Sequence, residues 1–140
     1  MKYSMSTICR TANILTHRMN RSQAFRLAWA LAKAQLVENV AGVQYGRRQD
    51  AIQHLTMYPE SAIHFHLMRE RDNLYDVNAV AVSAEVVGKG QYKMGYLNRT
   101  AAALVAPVMD RGVSLRANLK AIVGGYFEGM SYGLRLQVAI

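Results

Sequence analysis

"NAVAVSAEVVGKGQYKMGYL", residues 78–97, decides how the rest of the chain is read. "AVAVSAEVV" is rich in small and β-branched apolar residues and reads as a strand. "GKG" at 88–90 supplies glycines free to take positive φ, which is what a tight hairpin turn needs. "QYKMGYL" then returns as the partner strand.

Working upstream, "AIHFHLM" sets Ile63, Phe65 and Leu67 against His64, His66 and Met68. That is period-2 alternation, a strand with one buried face. "RRQDAIQHL" reads as a short helix with Ile52 and Leu55 turned inward, and "VAGVQYG" as a strand before it. Downstream, "NRTAAALVAPVMDRG" is helical, with Asn98 or Thr100 as cap and Gly112 as its stop. Pro107 falls inside that helix, where it loosens the last turn or holds the helix end against another element. "VSLRANLKAIVGG" and "SYGLRLQVAI" close the chain as two strands.

Residues 5–36 carry the helical period instead. Ile8, Ala12, Leu15 and Met19 share one face, "NRS" at 20–22 interrupts, and Ser22 is the expected cap of a second helix. That helix is apolar on two sides: Phe25, Ala28, Trp29, Ala32 and Leu36 on one, Leu27, Leu31 and Ala34 on the other. Two apolar faces want two partners. One is the rest of the chain; the other is the first helix or a second copy. The order α-α-β-α-β-β-β-α-β-β predicts an α+β fold: a small, highly curved barrel of the OB or SH3 type with short helices. An N-terminal helical hairpin over residues 1–38 precedes a barrel domain over 39–140.

The chain has 140 residues, half of them apolar, with a net charge of +8. That length suits one core with an appended element. The charge is uneven: residues 1–39 hold six of the seventeen Lys and Arg but only one of the nine acids. A basic balance favours polyanionic partners, nucleic acid above all. The single cysteine, Cys9, forms no internal disulfide and fits a reducing compartment. The N-terminus shows no continuous apolar run, so neither a signal peptide nor a membrane span is expected, and the cytoplasm is the default location.

Between the two central strands lies "RERDNLYDVNAV", residues 69–80. Tyr75 and Asp76 stand side by side in what reads as a tight turn. By its residues alone, Asp76 reads either as an Asx-turn acceptor of backbone N–H groups or as part of a binding site.

At "LMRERDNLYDVNAVAV" the sequence resembles the HIRAN domain, whose signature runs Leu-x-Arg-Glu-Pro-x-Asn-x-x-Asp-x-Asn-Ala-Ile/Val. "MGYLNRTAAALVAPVMDRG" resembles the family's Gly-Tyr-Leu strand and the helix that ends in Asp-x-Gly. "VAGVQYGRRQDAIQHL" resembles its opening strand and Arg-Gln-bearing helix. Three segments match in order, over about residues 39–140, as in stand-alone proteins of bacteria and phages. The resemblance implies an OB-like barrel that holds the 3′ end of single-stranded DNA without catalysis. No cofactor or metal is implied.

The resemblance also implies roles. Asp76 takes the position of the carboxylate that accepts the terminal 3′-hydroxyl; such a group tolerates a free hydroxyl better than an internal phosphate. Tyr75 and Tyr45 fall on aromatics that contact terminal bases, and Tyr132 on a third near the last strand. Base stacking is tolerant of sequence. Asn73 and Asn78 frame the turn, and Asn73 is also placed to touch the terminal nucleotide. Tyr96 and Arg99 match residues that contact backbone phosphates beside a helix N-terminus. The family's prolines are replaced by Arg71 and Leu74, which predicts a less rigid loop. Gln44 stands where an arginine is expected, and Arg47 or Arg48 can supply the missing phosphate contact.

The expected partner is therefore single-stranded DNA, with a helicase or nuclease as a further partner and a homodimer through the N-terminal helices. The alternative is a protein-interaction module using those helices. His64 and His66 share a strand face but lack the companions of a metal site. Cys9 lies on an apolar helix face and reads as packing. "GKG" and "VGG" lack the setting of a phosphate loop and read as turns.

Overall fold

The computed structural model describes residues 3–127 and 129–140. Helices α1 (Met5–Leu15) and α2 (Arg21–Ala32) lead into strand β1 (Leu36–Ala41). Helix α3 (Arg48–Leu55) and a single 3-10 turn (Glu60–Ala62) precede β2 (Ile63–Arg69), β3 (Val80–Val86) and β4 (Gly90–Leu97). Helix α4 (Arg99–Asp110) precedes β5 (Arg116–Gly124) and β6 (Tyr132–Ala139). The order is the one the periodicities predict.

The six strands close into an antiparallel barrel in the order β1-β4-β3-β2-β5-β6. Three pairs of neighbours are consecutive in sequence: β2 and β3 pair from Ile63 opposite Val86 to Arg69 opposite Val80, β3 and β4 meet at the Val87–Lys89 turn, and β5 and β6 pair from Arg116 opposite Ala139 to Gly124 opposite Tyr132. The predicted alternation of β2 holds, with Ile63 and Phe65 buried and His64, His66 and Met68 exposed. Closure needs sharp bends in the wall, and β-bulges supply them. In β4 the register jumps from Gly95 opposite Val82 to Lys93 opposite Ser83, leaving Met94 as the extra residue. A second shift lies in β5, between Leu119 and Ala121.

Several local boundaries differ from expectation. The cap of α2 is Asn20, not Ser22: the Asn20 side chain accepts from the Gln23 N–H at 2.9 Å, while the Gln23 side chain accepts from the Asn20 N–H. This reciprocal box satisfies two donors at once, which Ser22, already the second residue of the helix, does not do. Helix α2 stops at Ala32 because Ala34 takes a left-handed conformation, φ 53°. The first strand spans 36–41 rather than 40–46, since Gly42 at φ 75° turns the chain out of it. The 38/39 line drawn from the change of period thus passes through β1. Of the two cap candidates for α4, Asn98 is the cap, its side chain accepting from the Ala101 N–H at 2.9 Å.

The core explains the two-faced α2. Leu31 is fully buried among barrel residues such as Val80, Val82, Leu136 and Val138. Ala28 packs instead with Ile8 and Ala12 of α1. A third cluster joins Ile14 and Leu15 of α1 and Ala24 of α2 to Val108 of α4. Both apolar faces of α2 are met within the chain. The end of the chain ties in as well: the Ile140 N–H donates to the Leu31 carbonyl, and Arg10 donates to the Arg111 carbonyl at 2.6 Å.

Candidate functional site

The loop between β2 and β3, residues 70–79, is folded by its own side chains. Asn73 accepts through Oδ1 from the N–H groups of Tyr75 and Asp76, at 2.9 and 3.0 Å. Its amide nitrogen donates to Glu70 at 3.1 Å. Asp76 then accepts through Oδ1 from the Asn78 N–H at 2.9 Å. These are successive Asx turns, the chemistry that makes Asn and Asp frequent in loops. The turn reading of Asp76 is therefore satisfied. It uses one oxygen, while a carboxylate offers about four acceptor positions on two. Oδ2 lies 3.9 Å from Arg99 Nε and makes no hydrogen bond among the described residues.

Three arginines pin this loop, Arg69 and Arg99 from outside it and Arg71 from within. Arg69 forks onto Asp110 of α4, with Nε at 2.9 Å and Nη2 at 3.2 Å, and also donates to the carbonyls of Val77 and Ala79. Arg71 donates to the same carboxylate at 3.2 Å. These two cations, Arg69 foremost, hold the Asp110 carboxyl below its ordinary range. Arg99 donates to the Tyr75 carbonyl at 2.7 Å. So Arg71, standing where a proline was expected, stiffens the loop by an ion pair rather than by ring closure. What the loop presents outward is apolar: Leu74 and Tyr75 are 95% and 87% exposed.

The loop's first residue, Glu70, joins Lys93 and Tyr96 in a trio of which the sequence had suggested Tyr96 alone. Glu70 receives Lys93 at 2.6 Å and the Tyr96 hydroxyl at 2.9 Å, and Lys93 donates to that hydroxyl at 2.8 Å. The ammonium also lies 4.7 Å from the Tyr96 ring centroid, within cation–π range. The Lys93 bond lowers the Glu70 pKa, and Glu70 in turn raises that of Lys93. Positions 93 and 96 would face opposite sides of a regular strand. The Met94 bulge shifts the alternation by one residue and puts both on the outside.

Tyr45 sits on the β1–α3 loop rather than in a strand, 64% exposed, beside Gly42. Arg48 donates to the Gly42 carbonyl at 2.7 Å and brings its guanidinium to 6.0 Å from the Tyr96 ring. A continuous path of contacts thus runs from Tyr45 through Arg48, Tyr96, Glu70 and Asn73 to Tyr75, Asp76 and Arg99. Two predicted residues lie off it. Arg47 pairs with Asp50 at 3.5 Å on another side of α3. Tyr132 is half-buried against the core, its backbone bonded in both directions to the Gln49 side chain. His66 pairs with Glu85 at 3.4 Å, and among the described residues no three metal-ligating side chains gather. No helix among them is long and apolar enough to cross a membrane.

Glu70 and Lys93 were missed although Glu70 lies within the recognised motif. Their partnership joins residues 23 positions apart in sequence and depends on a bulge, which no local pattern announces.

Comparison with known proteins bears on the assignment. A sequence model described as the HIRAN domain matches residues 35–125. A crystal structure of a protein from Lactobacillus plantarum has the same fold, with a TM-score of 0.50 and 23% identity; the match covers 74% of this chain and 92% of that one. No curated protein sequence matches at a significant level.

Proposed function

Because the chain belongs to the HIRAN domain family, a family of nucleic-acid-binding modules, we propose that it binds single-stranded DNA by its 3′ end. The reading rests on one observation above the rest. Asp76 keeps an oxygen outside the hydrogen bonding of its own turn, 3.9 Å from the Arg99 guanidinium and on the residue that follows the exposed Tyr75. A terminal sugar hydroxyl donates to that oxygen, while its base stacks on Tyr75 or Tyr45. An internal nucleotide would present a phosphate anion to the same carboxylate, so continuous strand is disfavoured. Arg99 and Arg48 neutralise the phosphates just inside the end. Tyr96, held by Glu70 and Lys93, supports Arg48 rather than contacting phosphate itself.

The role needs no chemical step. The protein guards an end or presents it to a helicase or nuclease. The cations of α1 and α2 add attraction that does not depend on sequence, and affinity falls as salt rises.

The test compares oligonucleotides with a free and a phosphate-blocked 3′-hydroxyl, bound to wild type and to Asp76→Ala. Wild type should prefer the free end by about ten-fold, the worth of one charge-assisted hydrogen bond. Asp76→Ala should lose that preference and keep weaker, salt-sensitive binding. Equal affinities in all four combinations would overturn end recognition. No binding to any strand would overturn the nucleic-acid reading itself.

A further inference from the structure

Two adjacent arginines at the start of α3 part company. Arg48 reaches Tyr96 in the candidate site, while Arg47 lines a cleft of about 450 Å³ between α3 and the β3–β4 hairpin. Cavities that hold small ligands run from about 300 to 1,000 Å³. The floor of this one is core: Leu55, Ala84, Val86 and Met94 are all buried. Its rim carries Arg47, Lys89 and the half-exposed ring of Tyr92. One carboxylate faces them, Asp50, 3.5 Å from Arg47. Both side chains of that pair are largely exposed, so it contributes little and yields to a stronger anion. The remaining polar wall is the exposed Gln91 and His54, whose Nε2 is engaged with the Tyr58 hydroxyl at 3.2 Å.

We propose that this cleft takes one internal nucleotide of the strand whose end lies at Asp76. The base enters against Tyr92 over the apolar floor, and its phosphate lies between Arg47 and Lys89. An apolar floor, an aromatic ring and two cations against one weakly held acid match a flat base joined to an anion. Continuity supports the same occupant. Residues 47 and 48 are about 3.8 Å apart along the backbone, so a strand crossing the start of α3 passes from one arginine to the other. The inference rests on the proposed function and extends it from an end-binding pocket to a two-point grip.

The experiment uses the full chain and thymidine oligonucleotides carrying one photoreactive 5-iodouracil at each position in turn. The 3′-terminal probe should crosslink within residues 70–79, and an internal probe to the peptide containing Tyr92. Tyr92→Ala should weaken long strands about five-fold or more but leave a 3′-hydroxyl dinucleotide unaffected, and Tyr92→Phe should restore the loss. Crosslinks confined to residues 70–79, with long-strand affinity unchanged in Tyr92→Ala, would overturn the cleft and leave end binding standing. An absence of any crosslink and any binding would overturn both.

Discussion

Arg99 donates to the backbone carbonyl of Tyr75 at 2.7 Å, tying the first residue of α4 to the tip of a loop 24 positions earlier. The same guanidinium lies near the Asp76 carboxylate. It therefore has two tasks, holding the loop and supplying positive charge. Replacing it with Lys keeps the charge but loses the fork that reaches both groups. Arg99→Ala should lower the slope of log affinity against log salt by about one phosphate contact. Arg99→Lys should restore the slope but not the full affinity. An unchanged slope in Arg99→Ala, measured by titration over a salt series, would count against a phosphate contact.

Glu70 and Lys93 stabilise the fold from opposite ends of the pH scale. The folded-state pKa of Glu70 lies below its ordinary 4.5, so its contribution is present above that value and is lost as acid takes the pH through the folded value. Lys93 is raised above 10.5, so its contribution is complete below 10.5 and fades as pH climbs through the folded value. Glu70→Gln should thus flatten part of the fall in Tm below pH about 4.5, with Asp110 still supplying the rest. Thermal unfolding between pH 3 and 7 checks this. An acid limb as steep as that of wild type would show that Glu70 carries no such linkage.

Gly95 lies where β4 crosses β1. A Cβ there would run into the Ala41 carbonyl and the Val40 side chain. Neither can retreat, since both belong to the seam that closes the barrel. Gly95→Ala should cost about 1–3 kcal/mol, as overpacking does, and denaturant unfolding reads it directly. A neutral result would mean that the seam between β1 and β4 is looser than these contacts require.

Thr11 is fully buried in α1, and its hydroxyl finds no partner among the described residues. A buried hydroxyl without a partner costs about 1–3 kcal/mol. Thr11→Val keeps the shape and removes that cost, so stability should rise by about 1 kcal/mol. A lower midpoint in the same unfolding experiment would reveal a bound water satisfying the hydroxyl.

Much of this protein is written locally. Alternation over residues 62–68, the glycines at 88 and 90 and the helical spacing of Ile8, Ala12 and Leu15 each lie within a few residues of what they predict. That is why the element order could be read before the fold. The loop at 69–80 is local in the same way: Asn73 and Asp76 bond backbone groups two and three residues away. Boundaries differ from the local pattern where two local signals compete. Asn20 and Ser22 are both acceptable caps, and only the reciprocal bond from Gln23 separates them. Val43 and Tyr45 continue an apolar pattern that Gly42 has already ended.

By itself, then, the sequence determined the helices and strands, their order, the turn that sets Tyr75 beside Asp76 and the family signature around it. Tertiary structure decided which of those residues meet. The Met94 bulge reverses which side of β4 faces out and so joins Lys93 to Tyr96 and Glu70. The start of α3 sends Arg48 toward that trio and Arg47 to a separate cleft. Asp110 replaces the stiffness of an absent proline from 39 residues away. Each of these depends on distances between segments far apart in the chain. Such distances are fixed only when the barrel closes and its core packs, and no local residue pattern encodes them.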